Sequence, residues 1–338
     1  MKINTMIKQP KDFSTKEEAI DYYFNYYKEN GYPNYDKEDY NPFEELSKVI
    51  DTQSSEIIGE DNSLKQVMTG CGFLWTFFPH WIDTKTYNSK SVRESWNNDE
   101  LLRKLIEKVY NYVMKHDNER WSTNRIRQCA KVYCASQAVS NFRPTVAKYI
   151  YNTYGNRGNV YDPCGGWGGR MVGFMASNCK EYECCEPSTK SYEGLLNLKN
   201  TYPYLKKTIT VNNLCAEEYV PKESHFDLAF TSPPYFNTEE YSTEDTQSYL
   251  RYPSYEEWKE GFLKRMIHNC HIGLKDNGIL IINIANVSTA PTLEQDTVSL
   301  AMEEGFILKD TLKLILSSIA GKGIKYEPVF IFKKENIQ

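Results

Sequence analysis

The sequence predicts an α/β protein, a doubly wound and mostly parallel sheet preceded by a mainly helical N-terminal region. Three observations carry this expectation. From Arg143 onward, apolar runs of strand length alternate with helical periodicity, the pattern of successive strand–helix units. The short run from Asn159 to Asp162 enters Pro163-Cys164-Gly165-Gly166-Trp167-Gly168-Gly169-Arg170 and then the apolar stretch Met171 to Ala176, so strand, glycine-rich turn and helix follow one another. The run His225 to Phe230 reads as a buried strand, and Thr231-Ser232-Pro233-Pro234-Tyr235 stops its ladder abruptly.

Residues 1–135 are expected to form helices and loops, and residues 136–338 the sheet domain. Ser14-Thr15-Lys16-Glu17-Glu18 is a helix start, and its aromatic-rich helix runs to Glu29 before Gly31 and Pro33 end it. Phe73, Leu74, Trp75, Phe77, Phe78 and Trp81 crowd the stretch Cys71 to Trp81, as core or as a stacking surface. Helical periodicity covers Asn98 to Val113 and Asn124 to Ser140. Beyond these, helices are predicted at 144–154, 167–177, 188–200, 254–273 and 292–304. Strands are predicted near 159–162, 181–186, 207–212, 225–231, 277–286, 306–315 and 327–333.

Two turns carry the chemistry. Pro233 and Pro234 lack amide donors and fix their own φ angles, so the second turn is rigid and leaves carbonyl acceptors free. Rigid acceptors beside an aromatic ring suit a flat, amine-bearing ring, although a plain strand-ending turn explains the same residues. A strand, glycine turn and helix is the layout of a nucleotide-type cofactor site, but the spacing is not G-x-G-x-x-G. Glu186 ends the next predicted strand at about the 20-residue spacing of a ribose-binding carboxylate. Alone it reads equally as a cap on the helix starting near Ser188; with the glycine turn before it, the ribose reading is favoured.

Taken together, the turns resemble those of the class I S-adenosylmethionine-dependent methyltransferases, specifically the amino-methyltransferases of DNA. Ser232-Pro233-Pro234-Tyr235 matches that family's Asp/Asn/Ser-Pro-Pro-aromatic motif, and Asp162-Pro163-Cys164-Gly165-Gly166-Trp167-Gly168 its cofactor loop. Asn141-Phe142-Arg143-Pro144-Thr145-Val146-Ala147 resembles the segment packed over the methionine end of the cofactor, and the resemblance spans roughly residues 137–335. It implies a seven-stranded sheet with an antiparallel last hairpin and S-adenosylmethionine as cofactor. Cofactor-binding roles then fall to Asn141, Phe142, Arg143, Pro144, Thr145, Asp162, Pro163, Gly165, Gly166, Gly168 and Glu186. Ala216 and Glu217 would flank the adenine, with Cys215 standing where relatives more often have Asp. Catalytic roles fall to Ser232, Pro233, Pro234 and Tyr235: two acceptors hold the amine, the ring stacks on a base flipped out of double-stranded DNA, and the amine attacks the sulfonium methyl in line.

Serine in the first motif position leans toward cytosine N4 over adenine N6. Methylation of RNA or of a protein glutamine, and a non-catalytic methyltransferase-like DNA-binding subunit, are the alternatives. Pro163-Cys164 precedes the cofactor glycines, unlike the nucleophile dipeptide of carbon-5 cytosine enzymes, and is given a lining role. No recognition domain fits between or after the motifs. DNA reading is therefore expected from residues 1–135 or from the loops Phe236–Pro253 and Ser288–Leu293. Restriction-modification, phage self-protection and regulation all remain open as settings.

Composition bounds the rest. With 338 residues, 40% hydrophobic content and a net charge of −5, the chain has material for a large core and is no polycation seeking nucleic acid. Locally, the stretch from Trp121 to Val160 holds Arg125, Arg127, Lys131, Arg143, Lys148 and Arg157 with no acidic residue. It reads as an ordinary basic helix face or as a phosphate-facing surface. Nine cysteines without a C-x-x-C pair suggest reduced core thiols in a cytoplasmic protein, and His268 and His271 lack further metal-ligand spacing. Met1-Lys2-Ile3-Asn4 opens a polar segment rather than a signal peptide, and the run Ile279 to Ala285, with Asn283 inside it, is too short to span a bilayer.

Overall fold

Strand–helix alternation does produce a doubly wound α/β sheet. The computed structural model describes residues 7–116, 118–133, 139–319 and 323–335. Eight strands form one sheet: β1 (Ser63–Leu64), β2 (Asn159–Asp162), β3 (Glu181–Cys185), β4 (Thr208–Asn212), β5 (Phe226–Thr231), β6 (Leu274–Asn283), β7 (Phe306–Ile319) and β8 (Gly323–Lys334). Their spatial order is β1-β7-β8-β6-β5-β2-β3-β4. β8 runs antiparallel to both neighbours, and every other pairing is parallel.

The central strands β2, β5 and β6 are covered on both faces, so they read as nearly continuous apolar runs. Tyr161, Leu228, Phe230, Leu280 and Ile282 are all fully buried. The expected seven strands are present, and β1 is an eighth, drawn from the region expected to be helical. It pairs Ser63 with Lys313 and Leu64 with Leu314, giving β7 a partner on its outer side. Two residues carry no periodicity, which is why the strand is invisible in the sequence.

Helix Pro144–Tyr154 falls on its predicted bounds, with proline in the first turn where its missing donor costs nothing. The helix predicted at 254–273 is instead three pieces: Tyr255–Trp258, a π-helical stretch Lys259–Lys264, and Arg265–Gly273. Helix Lys16–Asn30 begins as read, with the Thr15 side chain accepting from the Glu18 amide. Asn124 to Ser140 corresponds to Thr123–Tyr133; residues 134–138 lie outside the described residues, as do Met1 to Asn4.

The chain forms two compact units, and the division differs from a cut at 135. The helical unit gathers residues up to Tyr35, Pro79–Val139 and Glu239–Tyr241; the sheet unit gathers Asp36–Phe78, Ser140–Thr238 and Ser242 onward. In the helical unit, Tyr23, Tyr27, Trp96, Trp121 and the apolar face of Asp99–Lys115 make the core. Tyr23 stacks on Trp121 with ring centroids 3.5 Å apart. The aromatic run Cys71 to Trp81 is buried throughout its large side chains, which supports the core reading over a stacking surface.

The basic stretch is mostly committed inward. Arg127 donates to the carbonyls of Pro33 and Asn34, and Arg143 to those of Lys65 and Ile315. Lys148 caps helix Pro42–Asp51 by donating to the carbonyls of Val49, Ile50 and Thr52. Arg125 pairs with Glu119. Arg157 alone among the described side chains of this set is exposed; the Lys131 side chain lies outside the described ones, and the other charges are committed to protein partners. Burial pushes the Arg143 and Lys148 groups down, and carbonyl acceptors compensate.

Candidate active site

The two turns meet because β2 and β5 are adjacent and parallel. Val160 pairs with Leu228 and Tyr161 with Ala229, so Pro163 and Ser232 leave the same end of the sheet. β6 lies on the other side of β5, with Thr231 opposite Ile282, and β8 sets Val329 opposite Asn283. Ligand sites of open α/β sheets form at this carboxyl end, where the strand order reverses.

The glycine turn is held from below. Asp162 is wholly buried; its Oδ2 accepts from Arg170 Nε at 2.8 Å and from the Tyr182 hydroxyl at 2.7 Å, and Oδ1 accepts from the Cys164 amide at 3.3 Å. Arg170 also donates to the Cys164 carbonyl, stitching the turn shut from its far side. With no exposed surface, Asp162, expected from the resemblance to bind cofactor, holds the turn through these three contacts. Burial lowers the affinity of Arg170 for its charge, yet the adjacent carboxylate outweighs this and leaves the guanidinium firmly protonated.

Gly168 adopts φ +75°, and a Cβ there would lie 2.7 Å from Leu198. A Cβ on Gly169 would lie 1.8 Å from the Phe142 carbonyl, so the 141–142 segment rests on the turn itself. Asn141 Nδ2 donates to the Trp167 carbonyl at 2.7 Å, and Phe142 packs edge-on to Phe230. Trp167 is buried against Trp75 and Phe78 and acts as a packing residue. Pro163 and Gly165 are buried, Gly165 against Leu195 and Cys184; Cys164 and Gly166 are the partly open positions.

The remaining expected cofactor residues divide. Glu186 joins the turn: Oε2 accepts from the Gly166 amide at 2.9 Å and Oε1 from the Ser188 amide at 2.9 Å. Burial pushes its carboxyl up to about 7, and those two amide donors oppose the rise. The capping and ribose readings are thus compatible, since one carboxylate faces both the helix start and the turn. Arg143, Pro144 and Thr145 go elsewhere. Arg143 is held as described above, Thr145 donates to the Val67 carbonyl at 2.9 Å, and Pro144 packs near Gly70. All three are buried, and their backbone already belongs to the helix start. Ala216 and Glu217 are buried; the Ala216 carbonyl accepts from Asn269, and Glu217 accepts from Arg251 at 2.9 Å.

At the second turn Pro233 is buried while Ser232, Pro234 and Tyr235 are half-exposed. Ser232 Oγ donates to Asn283 Oδ1 at 3.3 Å. The Tyr235 hydroxyl donates to Glu327 Oε2 at 3.0 Å, and Asn283 Nδ2 approaches the same oxygen at 3.5 Å while donating to the Pro328 carbonyl at 3.1 Å. Burial raises the Glu327 carboxyl, with both donors opposing. Phe236 follows at φ +55°, a conformation that strains a bulky residue, and its ring is locked against Tyr255 and Trp258. Sequence reasoning missed Asn283 and Glu327. The available signals were a lone amide in the apolar run Ile279 to Ala285 and a Glu-Pro pair at the head of the apolar run Val329 to Phe332.

The described cysteines are all free thiols, and all but Cys164 are buried. Among the described residues, no cluster of His, Cys, Asp or Glu is placed to hold a metal ion, and no helix is long and apolar enough to cross a membrane.

Comparison with known proteins supports the resemblance over the part of the chain that carries Ser232-Pro233-Pro234-Tyr235. Residues 226–338, which carry Ser232 to Tyr235, Asn283 and Glu327, match the family model described as DNA methylase. No curated protein matches the sequence. Among solved structures, a putative RNA methyltransferase from Pyrococcus horikoshii is 14% identical with a TM-score of 0.39, covering 58% of this chain and 83% of that one. Magnesium protoporphyrin IX methyltransferase from Synechocystis, with S-adenosylmethionine bound, is 14% identical at 0.40, covering 56% and 77%. A 1,6-didemethyltoxoflavin-N1-methyltransferase from Burkholderia thailandensis, with S-adenosylhomocysteine bound, is 12% identical at 0.39, covering 57% and 78%. At such scores the substrates of these proteins have no bearing on this chain.

Proposed function

We propose, from the premise that over residues 226–338 the chain is a methyltransferase of the DNA methylase family with S-adenosylmethionine as its cofactor, that it methylates the exocyclic amine of a base flipped out of double-stranded DNA. Cytosine N4 is slightly favoured over adenine N6. One observation carries the reading: the glycine turn and the Ser-Pro-Pro-Tyr turn leave neighbouring parallel strands at the same edge. A donor over the first turn and an amine over the second are then within reach of each other.

The residues fit the donor. Gly166 has no side chain to obstruct it, and a Cβ there would meet only the Cys164 carbonyl, at 3.7 Å. Glu186, beside Gly166, takes the ribose hydroxyls, and Asn141 and Phe142 bound the methionine end. S-adenosylmethionine supplies an electrophilic methyl on a sulfonium. The chain supplies position. The Ser232 hydroxyl and the Pro233 carbonyl accept the two amine hydrogens, which favours a pyramidal nitrogen and frees its lone pair. Tyr235 stacks on the base face. The nitrogen–carbon bond forms as the carbon–sulfur bond breaks, leaving the neutral thioether, and the surplus amine proton leaves afterwards to water. Oriented approach contributes most of the rate, and no covalent enzyme intermediate is needed. Contacts to the duplex fall to residues 1–135 or to the loops Phe236–Pro253 and Ser288–Leu293.

Incubation with tritiated S-adenosylmethionine and unmethylated plasmid, followed by mass spectrometry of nucleosides, tests this. Labelled N4-methylcytosine or N6-methyladenine is expected. Tyr235→Ala should lower the rate by roughly ten- to a hundredfold, the worth of one base–aromatic stack, and Ser232→Ala should lower it too. Label in DNA that neither variant changes would reject the assigned roles.

A further inference from the structure

Ser232 raises a question of polarity. A serine hydroxyl both donates and accepts, whereas an amine hydrogen needs an acceptor. The answer lies in Asn283. The Pro328 carbonyl can only accept, so the Asn283 face toward it must be the amide nitrogen, 3.1 Å away. Glu327 Oε2, already accepting from Tyr235, reinforces that orientation from 3.5 Å. Asn283 Oδ1 is thereby turned to Ser232, which donates its one proton to it at 3.3 Å. Both lone pairs of the serine oxygen are left for a ligand.

We propose that Asn283 and Glu327 are positioning residues that lock Ser232 as an acceptor, and so select an amino group over a keto oxygen. The inference rests on the reading above and deepens it. A keto oxygen in place of the amine would set lone pair against lone pair, the arrangement by which hydrogen-bonding sites reject a near-isostere. Glu327 has a second duty, since its carboxylate also holds the Tyr235 ring upright through the hydroxyl. The proposal makes Asn283 act through Ser232 and never on the substrate, which gives it a signature that a merely structural residue would lack.

The experiment measures single-turnover methylation of plasmid DNA and equilibrium binding of S-adenosylmethionine for the full chain and its variants. Asn283→Ala should slow methyl transfer about tenfold, the worth of one well-made hydrogen bond in a shielded site, with cofactor affinity unchanged. In a Ser232→Ala background the same substitution should cause no further loss, because the group it orients is gone. Glu327→Gln should keep most of the rate, since an amide oxygen still accepts, and Glu327→Leu should not. An active wild type whose Asn283→Ala variant is unimpaired, or whose losses multiply with Ser232→Ala, overturns the inference while leaving methyl transfer intact. Should Asn283→Ala fail to bind the cofactor, the Glu327 pair decides: equal rates for Gln and Leu overturn it. A wild type that labels no DNA overturns this inference and the underlying function together.

Discussion

The two turns at the carboxyl edge are held by opposite means. The polar support of Pro163 to Gly169 is largely local: Asp162 and Arg170 are eight positions apart and Glu186 reaches Gly166 from the next strand, while more distant segments add apolar packing. Ser232 to Tyr235 is stiff in its own backbone, yet its side chains are oriented from β6 and β8, far along the chain. The first turn is a folding element in its own right, and its ligand contacts belong to the proposed function. In the second, the side chains proposed to contact substrate are separable from those that hold the fold. Nature of the support, rather than closeness to the ligand, therefore decides what a substitution damages.

Arg170→Ala should expose that contrast most strongly. It removes the ion-pair partner of the buried Asp162, which costs about 3–5 kcal/mol and should appear as a large fall in the denaturation midpoint. Ser232→Ala, by comparison, should leave the midpoint nearly where it is while activity drops. Equal midpoints for Arg170→Ala and wild type would break the comparison.

Gly168→Ala is next. A left-handed alanine costs about 1–2 kcal/mol, and Leu198 must also shift from the new methyl, 2.7 Å away. Stability and cofactor affinity should fall together in thermal shift and titration. Loss of one without the other would show that the turn is less tightly coupled to the ligand than its packing implies.

The smallest effect is a pH dependence from Glu186. Its folded value of about 7 lies above the ordinary 4.5 because of burial. Between those values the folded protein retains a proton that the unfolded chain has released, so this group's contribution to stability declines as pH rises through the window. Cofactor affinity runs the other way, since the ionised carboxylate is the better acceptor for ribose hydroxyls. Titrations at pH 6 and 8 should show tighter binding at pH 8, and Glu186→Gln should flatten the difference.

Much of the fold was legible because its signals are local. Continuous apolar strands bounded by turns fixed seven strands to within a few residues, and proline placed the start of helix Pro144–Tyr154. Both turns were legible for the same reason: glycines and prolines announce backbone geometry wherever they occur. Partnerships across the sheet were not. Nothing in the linear order ties Asn283 to Ser232, or shows that Arg143 would satisfy the carbonyls of Lys65 and Ile315. Asp162 was assigned to the cofactor only through the resemblance of its loop; its burial depends on Arg170 and Tyr182, eight and twenty positions on, donating to it. A charge in a sequence has no address until the carbonyls around it are known.

The short strand Ser63–Leu64 has a practical consequence for anyone wishing to work with the catalytic half in isolation. A fragment starting near residue 136 would strip the outer rim from Phe306–Ile319 and remove the Lys65 and Val67 oxygens that Arg143 and Thr145 rely on. Raw, unpaired β backbone beside a stranded guanidinium invites self-association. Excision should therefore begin ahead of Asp36, and a truncate that begins later is expected to precipitate rather than report on methylation.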